Sequence, residues 1–365
     1  MPQRPPVDRR AAAAGAGGFR GFGPPGPVGA HAAGVRAVLT RTRGLGSFGA
    51  HHLHPGAIKT LVHDLKAATT QPFAVNLWIP LAGEPRTMPA RPALRTAVDR
   101  IRPFYEELGL DADALTADID LPDYDDQIAA LLEARPPVVS FVMGIPSHDV
   151  LAEARRLGIT TLGTATTVAE AVALADAGLD AVVASGSDAG GHRGAFLRPV
   201  GESLVGTFAL IPQVADAIAI PVIAAGGIAD GRGIAAALTL GADGVQIGTG
   251  FLGTDESAAS PVHRAALHSD AARTTVLTRL FSGRTARGIP NRLTRELAHA
   301  EQEVPAYPVQ NALMQPLRRA ATLQGTPDLT SLWSGQAAPL TRPGPARAYL
   351  ESLIIQAAEL LAPAR

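Results

Sequence analysis

The sequence predicts an α/β chain built as a (β/α)8 TIM barrel. Three observations carry that expectation. Short, continuously apolar runs alternate with helical patterns from Leu45 to Thr249. Such runs are buried on both faces, the mark of a parallel sheet clothed in helices. The alternation holds for roughly 200 residues, about what a barrel of this kind needs. Four of the runs end in small or polar residues, and barrels carry their functional groups on the loops after the strands. An open doubly wound sheet is the alternative. Its dinucleotide fingerprint, three spaced glycines opening a helix after the first strand, is missing.

The elements follow in order. Gly44 to Ala50 reads as a strand of small residues, and Pro55 opens a helix whose Ile58, Leu61, Val62 and Leu65 share one face. Phe73 to Ile79 is a strand stopped by Pro80; helical stretches at 93–108 and 123–134 follow a proline-containing loop. Strand and helix then alternate: Val138 to Met143, Ser147 to Leu157, Thr160 to Thr164, Val168 to Ala177, Ala181 to Ala184. A helix at Pro212 to Ala219, a strand at Pro221 to Ala225, a helix at Gly231 to Leu240 and a strand at Gly244 to Thr249 complete the count. Seven strands are visible from Leu45 onward.

Residues 1–43 do not fit. Met1 to Pro27 is rich in Arg, Pro, Gly and Ala, with no period of two or of 3.6. Such a stretch buries little and reads as disordered. It also resembles the product of a GC-rich gene translated out of frame, with the frame restored near Gly44. The first barrel strand is therefore expected to be missing, or to be a divergent one at Val35 to Leu39.

Composition bounds the function. Of 365 residues 46% are apolar, enough for a sizeable core, and the formal net charge is −1. No basic stripe follows residue 50, which argues against nucleic acid as a partner. The absence of cysteine removes disulfides, thiolate catalysis and thiolate metal sites. No apolar run is long enough to span a membrane, and the N-terminus has no apolar signal core. A cytoplasmic protein acting on a small molecule is expected; the oligomeric state is not legible.

One stretch concentrates the chemistry. The strand Ala181-Val182-Val183 runs into Ala184-Ser185-Gly186-Ser187-Asp188-Ala189-Gly190-Gly191-His192-Arg193-Gly194. Four glycines around one histidine suit an anion or a flat ring lying against bare backbone. The plain alternative is a flexible surface turn with an idle His192. Gly226-Gly227 ends one of the last two strands, and Gln246-Ile247-Gly248-Thr249 belongs to the other. Bare N–H groups, a hydroxyl and a helix start there form a phosphate cradle, where barrels commonly hold one. The plain alternative is a pair of tight strand-to-helix turns. With Asn76 and the Ser185 loop across the mouth, the space suits FMN better than a sugar phosphate.

The runs Ala181 to Gly194, Pro221 to Ile228 and Gln246 to Thr249 resemble the nitronate monooxygenases, and share much with the flavin-dependent enoyl-acyl-carrier-protein reductases. The resemblance extends over about residues 44–340 and includes Phe281 to Gly288, Tyr307 to Asn311 and Leu332 to Gln336. It implies an FMN-dependent barrel that oxidises alkyl nitronates, or nitroalkanes, with O2 to carbonyl compounds and nitrite. Asn76, Ser185, Gly190, Gly191, Gly226, Gly227, Gln246, Ile247, Gly248 and Thr249 would hold FMN, and His192 would be catalytic; no metal is implied. The implied division is 1–43, a barrel at 44–259, a small domain at 260–324 and a return to the barrel at 325–365.

Three positions depart from the family pattern. Ser185 stands where a longer polar residue is usual, so a water or another side chain would have to take over its flavin contact. Asp188 stands for Glu, and reads as a solvated turn residue, although it could orient His192. The third departure is the first strand. His51, His52 and His54 cluster without a carboxylate and read as a solvated loop or pocket rim rather than a metal site. A flavin- and NADH-dependent enoyl-thioester reductase and a degenerate, non-catalytic barrel are the alternative functions.

Overall fold

A computed structural model describes residues 14–18, 44–115 and 122–362. The strands are β1 (Ala14–Gly18), β2 (Gly46–Gly49), β3 (Phe73–Trp78), β4 (Val138–Val142), β5 (Thr160–Ala165), β6 (Ala181–Ser185), β7 (Gly191–His192), β8 (Val222–Ala225), β9 (Gly244–Ile247), β10 (Val276–Thr278) and β11 (Ala286–Gly288). Seven of them, β2 to β6 with β8 and β9, pair in parallel as a curled sheet, each at the place where the sequence predicts a strand. The short β1 pairs in parallel with both β2 and β9 and closes the barrel.

That closing strand contains only alanine and glycine. The first strand is thus present but atypical, and it lies inside the stretch that reads as disordered. No side-chain pattern announces it. What marks it is backbone pairing to two partners, which no local reading contains. Val35 to Leu39, the expected alternative, lies outside the described residues.

Side-chain alternation gives the barrel its polarity. At the bottom, Ala74, Val138, Leu162 and Ala181 point inward and form an apolar plug. Two residues further on, the same inward parity brings Asn76, Ser140, Thr164 and Val183 to the upper cavity. Outward positions such as Phe73, Val75, Val139 and Val182 pack under the helices.

In chain order the helices begin with α1 (Pro55–Ala68), then α2 (Arg91–Glu107), which packs in a second core instead of that layer, α3 (Tyr124–Ala134), α4 (His148–Arg156) and α5 (Val168–Asp176). They continue with α6 (Thr207–Ala217), α7 (Gly231–Thr239) and the single turn α8 (Thr249–Leu252). The start of α6 corrects the expected one by five residues. Its N-terminal Thr207 N–H donates to the Asp188 carboxylate at 2.7 Å, a cap supplied from another loop. Pro212 therefore sits inside the helix rather than at its first turn.

After the barrel come α9 (Pro261–Leu267), α10 (Arg292–Glu296), α11 (Val309–Leu323) and α12 (Ala346–Leu361). A second apolar core joins Ile101, Phe104 and Tyr105 of α2 to Leu313, Met314 and Leu317 of α11 and to Phe281 and Trp333. Strands β10, β11 and β7 form a small antiparallel sheet, with Ala286 opposite His192. The C-terminal α12 packs its Tyr349, Leu350 and Leu353 against the α7 side of the barrel. Its Tyr349 hydroxyl donates to the Ala229 carbonyl at 2.6 Å, and its Gln356 accepts the Gly231 N–H at 3.1 Å, so this helix braces the turn after β8. No helix among the described residues is long and apolar enough to cross a membrane.

Candidate active site

The C-terminal mouth of the barrel opens into a cavity of about 1160 Å³, its open end included. It brings together Asn76, Ser185, Gly190, Gly191, His192, Gly226, Gly227, Gln246, Gly248 and Thr249. Ile247 is the exception. It has the outward parity of β9 and packs with Ile211, Val245 and Phe251, so only its backbone remains for a ligand. Ser47, Ser140, Trp333 and Gly335 also line the cavity and carry no site role in the sequence reading, although Trp333 and Gly335 belong to the family-like segment Leu332 to Gln336. Ser140 could have been found by counting inward parity along β4. Trp333 and Gly335 arrive from a segment far along the chain.

At one end of the cavity the backbone is bare. Gly226 and Gly227 both have positive φ (102° and 67°), which L side chains rarely adopt. A Cβ on Gly227 would meet Asp188 Cβ at 3.1 Å. A bulky residue there would thus distort the loop as well as exclude a phosphate. The Thr249 hydroxyl accepts the Gly335 N–H at 3.0 Å and keeps its own hydrogen for a ligand.

At the opposite wall Asn76 donates through Nδ2 to the Ser140 carbonyl (3.1 Å) and hydroxyl (3.0 Å). Its Oδ1 is buried with no partner in the protein. A buried acceptor left this way costs about 1–3 kcal/mol, which a ligand N–H would relieve.

The turn after β6 is clamped by two arginines that sequence reading missed. Buried Arg193 donates to the Gly186 carbonyl at 2.7 Å and to the Ser185 carbonyl at 2.9 Å; Arg287 donates to the Ser187 carbonyl at 2.7 Å. Burial, reinforced by the charge of Arg287, pushes the Arg193 guanidinium down to about 10. Asp188 is not a solvated turn residue. It caps α6, and its carbonyl accepts the Gln336 N–H at 3.0 Å. Nor does it orient His192.

Ser282 does that. His192 Nε2 lies 2.8 Å from Ser282 Oγ, which also lies 3.0 Å from the Arg284 carbonyl oxygen. The serine has one hydrogen. Given to Arg284, it leaves the histidine Nε2–H as donor and Nδ1 as an acceptor for a ligand; given to Nε2, it makes Nδ1 a donor. The imidazole is wedged edge-on between Trp78 and Trp333, with ring centroids 4.7 and 5.2 Å away. Burial first, then the charges of Arg284 and Arg318, drive its pKa down to about 3. At neutral pH His192 is an uncharged, fixed imidazole. Ser282→Ala is expected to release the ring and lower kcat about tenfold with cofactor content unchanged, measured by steady-state kinetics on protein of matched cofactor content.

His51 stacks on Trp78 at 3.7 Å and 4°, away from the main cavity. Among the described residues no three His, Asp or Glu side chains gather as a metal site. His51, His192 and His263 are all shifted down, burial being the largest cause in each. The unfolded chain therefore binds protons below about pH 6.5 that the native chain refuses. Stability should be full above that pH and fall as pH drops toward 3, by up to about 1.4 kcal/mol per pH unit for each histidine. The urea midpoint at pH 5 should lie clearly below that at pH 7.5; equal midpoints would refute the buried-neutral assignment.

Comparison with known proteins agrees with this geometry. The nitronate monooxygenase family profile matches residues 30–356. A curated protein of Staphylococcus aureus (strain JH9) named "Probable nitronate monooxygenase" is 36% identical over 326 residues, covering 89% of this chain and 90% of its own. Among solved structures, the nitroalkane oxidase of Streptomyces ansochromogenes superposes with a TM-score of 0.80 at 37% identity, covering 89% of this chain and 92% of that one. FabK from Thermotoga maritima follows the same fold with a TM-score of 0.70 at 27% identity, covering 96% and 93%. A profile match over most of the chain, together with relatives above 30% identity at nearly full length, places this protein among the oxidoreductases of the nitronate monooxygenase family.

Proposed function

We propose that the protein binds FMN in the barrel mouth and oxidises alkyl nitronates with O2 to carbonyl compounds and nitrite. The observation that carries this reading is the pairing, in one cavity, of a bare-backbone anion cradle with a buried, uncharged imidazole. The residues fit the cofactor. Gly226, Gly227, Gly248 and Thr249 would take its phosphate through N–H groups and a hydroxyl. Asn76 Oδ1 would accept a ring N–H, and Gly190, Gly191 and Gln246 would line the ring. FMN, when bound, supplies the electron acceptor and passes electrons on to O2.

The chain's own part is positioning and exclusion. A nitronate is already a carbanion, so no strong base is needed to start its oxidation. His192, held by Ser282 and flanked by two indoles, would offer Nδ1–H to a nitronate oxygen. A base of depressed pKa is poorly placed to deprotonate a neutral nitroalkane at neutral pH. The nitroalkane oxidase likeness nonetheless favours that step as a second reading, in which the same Nδ1 accepts the α-proton.

The test is the visible spectrum of the purified protein with FMN, then with a preformed nitronate under air. A bound flavin spectrum, O2 uptake and nitrite release are expected. Protein that never takes up FMN would mean a degenerate barrel. Anaerobic bleaching by NADH, without nitronate turnover, would mean a reductase.

A further inference from the structure

The C-terminal helix α12 meets the anion cradle from behind. Its Tyr349 is buried and stands outside the cavity wall. The Tyr349 hydroxyl donates at 2.6 Å to the carbonyl of Ala229, a residue that does line the cavity. It also abuts α8. A Cβ on Gly250 would stand 2.2 Å from the hydroxyl oxygen, and the Phe251 ring meets the Tyr349 ring edge-on at 5.1 Å. One side chain therefore touches both turns of the cradle, the one after β8 and the one after β9. Burial raises the phenol pKa, so the hydroxyl stays a donor at neutral pH.

The cradle has few donors to spare. The first N–H groups of a helix after such a turn ordinarily face an anion. In α7 they are taken: Gly231 N–H by Gln356 Oε1 at 3.1 Å, and those of Arg232 and Gly233 by the Asp230 carboxylate at 3.0 and 3.3 Å. A phosphate there depends on the turn itself, Gly226 to Ala229, and on Gly248 and Thr249. A carbonyl swung into that turn would repel it. The peptide unit is planar, so the direction of the Ala229 carbonyl also fixes that of the N–H that follows it. Tyr349 holds the carbonyl toward α12, out of the cavity.

We infer that Tyr349 is a positioning residue of the phosphate site. It acts through the Ala229 peptide, 120 residues before it in the chain, and through Gly250. It sets how tightly the phosphate of a flavin is held, and leaves the hold on the ring alone. The inference rests on the phosphate assignment of the proposed function, and the experiment separates the two.

FMN and riboflavin, which differ only in the phosphate, are titrated into the full-length, flavin-free protein and followed by flavin fluorescence. The parent should bind FMN about a hundredfold more tightly than riboflavin, the scale of two charge-assisted hydrogen bonds. Tyr349→Phe keeps the ring against Phe251 and removes only the hydroxyl. It should weaken FMN about five- to tenfold, the range for one hydrogen bond, and leave riboflavin within about twofold. Equal losses for both flavins would make Tyr349 merely structural and overturn the inference, as would an unchanged ratio of the two affinities. A parent that holds both flavins equally would overturn the phosphate assignment, and the inference with it. If circular dichroism shows that Tyr349→Phe does not fold, Gly250→Ala takes its place. Its new Cβ would push the Tyr349 hydroxyl off Ala229, so the ratio of FMN to riboflavin affinity should fall by a similar factor; an unchanged ratio there would equally overturn the inference.

Discussion

In His192→Asn, turnover of a preformed nitronate is expected to stay within about tenfold of the parent, while any activity on the neutral nitroalkane falls by about a hundredfold or more. Asparagine keeps a donor of similar reach but accepts no proton at neutral pH. The structure accounts for the first half of this, the tolerance on preformed nitronate. Burial and two guanidinium charges hold the imidazole well below its usual range, at about 3, so it is uncharged throughout the physiological span. Positioning an anion requires only an N–H; abstracting a proton requires a lone pair with affinity for it. Turnover of preformed nitronate should accordingly show no titration of His192 between pH 6 and 9. The measurement is initial O2 uptake and nitrite release for both substrates, on proteins of equal flavin content. Equal activity of parent and variant on both substrates would make His192 idle. A hundredfold loss on both would mean that the histidine does more than position the anion.

Gly190→Ala should cost the protein its cofactor cradle. A Cβ there would stand 2.3 Å from Gly335 N and 2.5 Å from the Ser334 carbonyl carbon, both backbone atoms. The segment they belong to is tied down, by Gly335 N–H to Thr249 Oγ1 at 3.0 Å and by Gln336 N–H to the Asp188 carbonyl at 3.0 Å. It cannot retreat without loosening Thr249 and Asp188 together. Overpacking of this kind costs about 1–3 kcal/mol, and flavin affinity should fall at least tenfold. Gly201→Ala is the control, since its Cβ would meet nothing within 4 Å. Thermal midpoint and flavin content after reconstitution decide the comparison. Matching behaviour of the two variants would show that the contact with the 334–335 backbone does not hold the loop.

This result changes why Gly190 must be glycine. Sequence reading assigns the glycines around His192 to close approach by a ligand. Gly190 makes room for another stretch of the chain, which in turn forms one side of the cavity. Gly226 and Gly227 behave closer to expectation, since their backbone angles do exclude ordinary side chains. Arg193 stood in the quoted stretch but carried no role, because nothing local says that an arginine turns back onto carbonyls seven and eight residues before it.

What the sequence determined by itself was everything that repeats. Apolar runs placed seven strands, helical spacing placed most of the helices, and the small and polar strand ends marked Asn76, Ser185 and Gln246 for the cavity, although Ile247, counted with them, lies on the other face. These are local regularities, imposed on each segment by burial on a period of two or 3.6. Tertiary structure alone decided the rest. It made a closing strand from alanine and glycine at Ala14–Gly18, where backbone pairing supplies what side chains do not announce. It capped α6 with Asp188, nineteen residues upstream. It set His192 in a two-residue strand against Ala286, bound it to Ser282 ninety residues away, and closed the pocket with Trp333. Each of these is a single contact between distant segments. A contact of that kind leaves no period in either segment, and it takes its geometry only once the barrel has brought the two together.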